Sequence, residues 1–158
     1  MTAALAQAVM RVAIYVRISL DKLGDAHGVE NQLAECREYV ARRGWIIAGV
    51  FTDNDISATS GKPRPRYLEL MAAAARGEFD AIVVWQTSRF WRNRRERADG
   101  IEVLRHAQIS LFAVKGPSLD MSTAYGRMLC GLLGEFDTME TEVKGERQRL
   151  ANQQAARN

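Results

Sequence analysis

Four short apolar segments alternate with longer amphipathic segments, and this alternation restricts the fold more than any other feature of the chain. The apolar segments predict strands at residues 11–19, 45–51, 80–85 and 109–114, and the amphipathic ones predict helices at 31–43, 67–76 and 96–107. Such alternation is typical of a mainly parallel sheet with helices on both faces. The second segment is apolar enough to predict a strand buried on both faces. We therefore expect an α/β fold with four or more strands.

The last segment, residues 121–158, predicts one long helix. It contains no proline, and its apolar residues recur at spacings of three and four. A helix of about 30 residues would measure about 45 Å. Its apolar first half suits a second copy of the chain or ordinary packing within one copy, and its polar, basic second half suits solvent or a phosphate backbone. The apolar residues are Met128, Leu129, Leu132, Leu133, Phe136, Met139 and Val143.

Length and composition exclude several classes of protein. The 158 residues fit about one domain, and no apolar run reaches the length of a membrane span. Two cysteines and two histidines without close spacing do not make a metal site. The net charge is only +3, but five arginines crowd between residues 89 and 97, which indicates a solvated face or a nucleic-acid surface. Residues 1–10 lack the basic start of a signal peptide, so we expect a floppy leader.

Polar side chains end two of the predicted strands. Tyr15, Arg17 and Ser19 share one face of the first strand at its carboxyl end, and Arg89 and Arg92 follow the third strand. Carboxyl ends of parallel strands meet at one edge, where ligands collect. A hydroxyl among guanidiniums favours phosphoryl transfer, because fixed cations stabilise charge on phosphate oxygens. The alternative is an edge strand with a merely wet face, and no residue is an evident general base.

Six motifs, in this order along the chain, resemble those of the serine site-specific recombinases, the family of resolvases, invertases and large serine integrases. The resemblance covers about residues 11–150 and implies a catalytic α/β domain at 11–120 followed by an interface helix at 121–158. The motifs are Tyr15-x-Arg17-x-Ser19, Gln32-Leu33, Asp55-Ile56-Ser57, Arg64-Pro65 with Leu68 and Leu70, Ser88-Arg89-x-x-Arg92, and Glu140-Thr141-Glu142-Val143-Lys144-x-Glu146-Arg147.

The resemblance implies a catalytic role for each matching residue. Ser19 would attack a DNA phosphodiester, form a 5′-phosphoserine link and release a 3′-hydroxyl. Three arginines would hold the scissile phosphate, a fourth in the mobile loop would complete the site, and two further side chains would support it. In that order these residues are Arg17, Arg89 and Arg92, then Arg64, then Gln32 and Asp80.

The resemblance also implies partners. Family members act on double-stranded DNA as tetramers of two dimers, and they need no metal, ATP or other cofactor because the covalent link conserves the bond energy. The long helix would form the homodimer and tetramer interface, and its distal half would cross the DNA. We expect a cytoplasmic protein of a bacterial host, of phage or mobile-element origin, with no membrane partner. The residues expected at the DNA are Arg94, Arg95, Lys144, Arg147 and Arg149.

Several features depart from the family pattern. Ser88 stands where the family often has Asp, and the acidic position of the 53–55 region aligns with either Asp53 or Asp55. The leader favours an integrase-type member, and the end at Asn158 predicts a catalytic domain truncated before its DNA-binding region. We expect site-specific recombination that integrates or excises DNA. The alternative is a non-catalytic DNA-binding or oligomerisation module with the same fold, and the intact serine and arginine set favours the enzyme.

Overall fold

A computed structural model of the chain describes residues 8–19, 26–55, 63–87 and 90–157, with the backbone alone at 18, 19, 26, 27, 29, 54, 55, 137, 138 and 141. The described residues form four strands in the order β2-β1-β3-β4, all parallel, and four helices. This confirms the predicted α/β fold with a parallel sheet. The elements are β1 Arg11–Ser19, α1 Ala26–Arg42, β2 Ile46–Asp55, α2 Pro65–Ala75, β3 Ala81–Gln86, α3 Arg94–Ala107, β4 Ser110–Lys115 and α4 Ala124–Ala155.

The core lies on both faces of β1. Alternate residues of this strand pack toward α1 on one face and toward α2 and α3 on the other, because successive side chains of a strand point to opposite faces. The residues on the α1 side are Val12, Ile14 and Val16, and those on the other side are Ala13 and Tyr15; all five are almost fully buried. β1 is therefore a central strand, which excludes the alternative of a wet edge.

The second strand differs from its prediction in two ways. β2 lies at the edge of the sheet, where Ile46 and Val50 are 57% and 37% exposed, so the expectation of burial on both faces is wrong. β2 also continues to Asp55, since the residues from Thr52 onward pair with the carboxyl end of β1. The strand thus extends four residues beyond its predicted end at residue 51, and the backbone of these polar residues forms its hydrogen bonds within the sheet.

The helix α4 is 32 residues long, or about 48 Å. It begins where the hydroxyl of Thr123 accepts a hydrogen bond from the amide of Gly126, at 2.9 Å. Leu129 and Leu133 pack against the core next to α3, and Cys130 is fully buried. Seven other apolar residues remain exposed and are here named the α4 stripe: Tyr125, Met128, Leu132, Phe136, Met139, Val143 and Leu150. In the described part of the chain, no helix has the length and apolar content that crossing a membrane requires.

Candidate active site

The order in which the parallel strands are added to the sheet reverses between β1 and β3. β2 lies on one side of β1, whereas β3 and β4 lie on the other. In open α/β sheets the crevice at the carboxyl end of such a switch point is where ligands bind. β1 ends there with Ser19, and the segment that carries Arg92 follows β3. The topology thus brings the backbone of the predicted nucleophile and this arginine segment to one edge of the sheet.

Arg17 and Gln32 meet at this edge. Both line a small cavity of about 10 Å³, together with Gln86 at the end of β3 and with Phe90. Gln32 comes from the second turn of α1 and is 9% exposed. α1 therefore delivers an amide side chain beside the predicted phosphate ligand of β1.

Arg92 lines a groove at the same edge. The groove has a volume of about 710 Å³, and Gln86, Thr87 and Arg97 also line it. The backbone amide of Arg92 donates to a carboxylate oxygen of Glu96, at 2.6 Å. The arginine is thus placed beside the end of β3 by a segment that is anchored to the start of α3.

Arg64 lies in the interior and is 4% exposed. Its guanidinium donates to the hydroxyl of Tyr15 at 3.2 Å and to the carbonyl of Phe90 at 3.0 Å. It also forms an ion pair with Glu96 and lies over the ring of Tyr67, 4.1 Å from the ring centre. These partners offset the high cost of burying a charge. Among the described residues, the Nε of Arg64 alone of its nitrogens has no acceptor.

Asp53 holds β1, β2 and α2 together. Its carboxylate accepts hydrogen bonds from the hydroxyl of Tyr15 at 2.9 Å and from the amides of Arg66 and Tyr67, at 3.0 and 2.8 Å. The two amides belong to the first turn of α2, which has no side-chain cap of its own at Arg64. A carboxylate at a helix start satisfies free amides and complements the helix dipole. Asp53 is therefore a structural acceptor.

Burial keeps Tyr15 protonated as the donor to Asp53. Desolvation raises the pKa of its phenol well above the usual range; the charge of Arg64 opposes this shift, and that of Asp53 reinforces it. The other acidic candidate, Asp55, ends β2 directly opposite Ser19 in the parallel register. The sequence left open which of the two aspartates matches the acidic position of the family. Asp53 lies in the core, whereas Asp55 lies at the carboxyl end of the sheet.

Asp80 lies at the opposite end of the strands from the other predicted site residues. Its carboxylate accepts the amide hydrogen of Arg11 at 2.8 Å and pairs with the guanidinium of the same residue at 3.3 Å. The amide hydrogen bond is the main cause that lowers the pKa of Asp80. Arg11 begins β1 and Ser19 ends it, so about 26 Å of strand separates Asp80 from the carboxyl edge. Asp80 joins the starts of β1 and β3 and does not support the candidate site.

The residues predicted to contact DNA divide into separate places. Arg94 forms an ion pair with Glu140 and lines a shallow groove of about 350 Å³ together with Lys144 and Arg147. Arg95 lines a different groove, between α2 and α3. Arg149 is exposed further along α4.

Arg89 and its neighbour Ser88 lie outside the described residues, and so does the side chain of Ser19. One contributor was missed by the sequence reasoning, namely Glu96, which contacts both Arg64 and Arg92. The pair Asn93-x-x-Glu96 has the spacing of a helix-start capping motif and could have drawn attention to this position.

Solved structures share the fold. The chain is similar to a resolvase family site-specific recombinase from Streptococcus pneumoniae, with a TM-score of 0.75, 19% identity, and coverage of 94% of this chain and 99% of that one. It is also similar to the N-terminal catalytic domain of TP901-1 integrase, with a TM-score of 0.65, 24% identity, and coverage of 84% and 98%. For the C-terminal catalytic domain of ISC1926 TnpA, an IS607-like serine recombinase, the TM-score is 0.57 at 20% identity, with coverage of 68% and 72%.

Sequence comparison identifies the family. No curated protein matches the chain. The model of the resolvase N-terminal domain matches residues 12–158, which is nearly the whole chain and includes the carboxyl edge of β1, the arginine segment after β3 and the helix α4. The chain therefore belongs to the resolvase N-terminal domain family, the family of the serine site-specific recombinases.

Proposed function

We propose that this chain is the catalytic domain of a recombinase that cuts and rejoins DNA at specific sites through a 5′-phosphoserine intermediate. The observation that carries the proposal is the end of β1 at the switch point of the sheet, where the strand closes with Arg17 and Ser19 and where the segment that bears Arg92 follows the neighbouring β3. Family membership supports the same reaction class. Site-specific integration and excision are the outcomes that we propose for it.

In the proposed cleavage, the Oγ of Ser19 attacks the phosphorus of a DNA phosphodiester. The bond from phosphorus to Oγ forms while the bond to the 3′ oxygen breaks, the serine loses its proton, and the 3′ oxygen gains one. Rejoining reverses these steps, so phosphodiester bonds are conserved. Arg17, Arg89 and Arg92 stabilise the charge that develops on the phosphate oxygens, and the loss of one such donor typically costs about 10²–10³ in rate.

In this proposal Arg64 completes the site from the protein interior. Its guanidinium holds Tyr15 of β1 and the carbonyl of Phe90, so it joins the strand of the nucleophile to the arginine segment. Gln32 lines the same small cavity as Arg17, and in this proposal its amide helps to position that arginine. Both residues would keep the phosphate ligands in place before DNA arrives.

The α4 helix supplies the proposed interface with other copies. The α4 stripe exposes seven apolar side chains in a row along one helix, and a continuous apolar surface of this kind marks an interaction site. A second copy offers the same stripe in return, which gives a dimer, and two dimers give the tetramer. Double-stranded DNA would meet the cationic residues of α3 and α4, namely Arg94, Arg95, Lys144, Arg147 and Arg149.

Covalent capture tests the proposal. The tagged full-length protein is expressed in bacterial cells, isolated under fully denaturing conditions, and assayed for DNA that stays attached. We expect attached DNA with wild type and with Ser122→Ala, whose exposed serine lies at the start of α4, and none with Ser19→Ala. Equal attachment in wild type and Ser19→Ala would contradict the proposed nucleophile. DNA bound equally by both, but only without denaturant, would support the non-catalytic module.

A further inference from the structure

We infer that Glu96 is a positioning residue for cleavage: it fixes the segment that carries Arg92 against the strand of the nucleophile. The inference rests on the proposed function. Glu96 is the third residue of α3 and is partly buried, with its side chain 22% exposed. Its two carboxylate oxygens contact two different elements of the site.

One carboxylate oxygen of Glu96 pairs with the guanidinium of Arg64, and the other accepts the backbone amide of Arg92 at 2.6 Å. Neither contact is needed to begin α3. Asn93 already caps that helix, because its side chain accepts the amide of Glu96 at 2.8 Å. The carboxylate is therefore left to serve the residues before the helix, and the positive end of the helix dipole favours its charge there.

The segment from Phe90 to Arg92 is thereby held at both ends. Arg64 donates to the carbonyl of Phe90 at 3.0 Å, and Glu96 accepts the amide of Arg92. Because Arg64 and Glu96 are themselves an ion pair, the two anchor points form one rigid unit. The same guanidinium of Arg64 reaches the hydroxyl of Tyr15, four residues before the end of β1. A continuous set of contacts thus runs from Arg92 to the strand of the nucleophile.

Removing the charge of Glu96 should loosen this unit without removing any group that touches phosphate. Glu96→Gln keeps the shape and one carbonyl acceptor but leaves the buried Arg64 without its counter-ion. A displacement of about 1 Å in a reacting geometry can cost about a hundredfold in rate. DNA affinity should change little, since it depends on the exposed cations of α3 and α4.

The test measures how fast the full-length protein forms the covalent adduct in a single turnover. The substrate is a duplex with the DNA sequence that the covalent capture described above identifies. Rate constant and final amplitude are recorded separately, and affinity is measured with a 30-bp duplex at fixed salt. The matched control is Glu102→Gln, which makes the same change of charge at an exposed position of α3. We expect Glu96→Gln to cleave about a hundredfold more slowly at full amplitude and unchanged affinity, and Glu102→Gln to match wild type.

The outcomes separate positioning from a purely structural role. A wild-type rate constant with a reduced amplitude would overturn the inference, because it indicates less folded protein with an intact site. If Glu96→Gln does not fold, Glu96→Asp decides, since it keeps the charge but is one methylene too short to span both partners; a wild-type rate in that variant would overturn the inference. Ser19→Ala runs in parallel, and adduct formed by that variant would instead contradict the proposed function.

Discussion

Asp53 shows how one buried residue can organise an edge of the sheet. Its carboxylate sits on β2, accepts the phenol of Tyr15 from β1 and accepts two amides at the start of α2. Three donors converge on two oxygens that are shielded from water, and each donor would be costly to leave without an acceptor. Asp53 therefore contributes to the candidate site indirectly, because it holds β1, β2 and α2 in place.

Replacing this acceptor should destabilise the protein strongly. We expect Asp53→Ala to lower the free energy of unfolding by about 3 kcal/mol, because it leaves the Tyr15 hydroxyl and two amides unsatisfied. Asp99→Ala, at an exposed position of α3, should change it by less than about 0.5 kcal/mol. Urea denaturation of both variants measures the difference, and equal effects would contradict the assigned role.

Cys36 gives the protein a pH dependence on the alkaline side. The thiol lies on the face of α1 that packs against β1 and is fully buried, and desolvation, reinforced by the charge of Glu35, raises the pKa of Cys36 to about 12. The unfolded chain loses this proton near pH 8.5, so the stabilisation is complete below that pH and is lost as the pH rises toward 12. We expect wild type to lose up to about 1.4 kcal/mol per pH unit more than Cys36→Ala above pH 9. Urea denaturation at each pH measures the free energy of unfolding of both proteins. If the thiol were solvated, the two plots of this free energy against pH would run parallel, which would contradict the prediction.

At the scale of elements, sequence periodicity identified every strand and helix that the structure describes, because the alternation of apolar residues is a local property. The end of β2 was missed, since Thr52 to Asp55 are polar and become a strand only by pairing with β1. Arg64 lay in a polar stretch, and nothing local indicates that Tyr15 and Glu96 would surround it. Asp80 is the first residue of the predicted third strand, so strand direction alone could have placed it at the amino end of the sheet, opposite the candidate site.

The start of α4 depends on a glycine. A Cβ at Gly126 would lie 1.8 Å from the carbonyl oxygen of Asp120, so the backbone itself would have to move. We expect Gly126→Ala to cost about 2 kcal/mol of folding free energy. Gly145→Ala is the matched control on the same helix: a Cβ there meets no atom within 4 Å, so we expect a gain of about 1 kcal/mol in helix stability. Circular dichroism during urea denaturation measures both, and a loss at Gly145 as large as at Gly126 would refute this explanation.

At the scale of the whole molecule, the α4 stripe predicts self-association. Leu132 is 58% exposed near the middle of the stripe, and Leu68 is 61% exposed on α2, away from it. We expect Leu132→Glu to weaken dimerisation at least about tenfold, because one buried charge in an apolar interface costs more than 1.4 kcal/mol. Leu68→Glu makes the same chemical change and should leave the dimer intact. Sedimentation over a range of concentrations decides, and equal association of both variants would contradict an interface on the stripe.

The molecule as a whole has the candidate site at the carboxyl end of the sheet and the exposed α4 stripe along one helix. α4 packs beside α3, whose first turn carries Arg94 and Glu96. The ion pair between Arg94 and Glu140 joins these two helices directly. Through this ion pair the helix of the α4 stripe contacts the first turn of α3, two residues from Arg92.

That the Oγ of Ser19 carries the cleaved strand is tested most directly by mass spectrometry of the captured adduct. The adduct is digested with nuclease and protease, and the modified peptide is sequenced. We predict a nucleotide joined through its 5′ phosphate to Ser19, with a free 3′-hydroxyl on the other DNA end. A nucleotide on any other residue, or a link through a 3′ phosphate, would contradict the proposed chemistry.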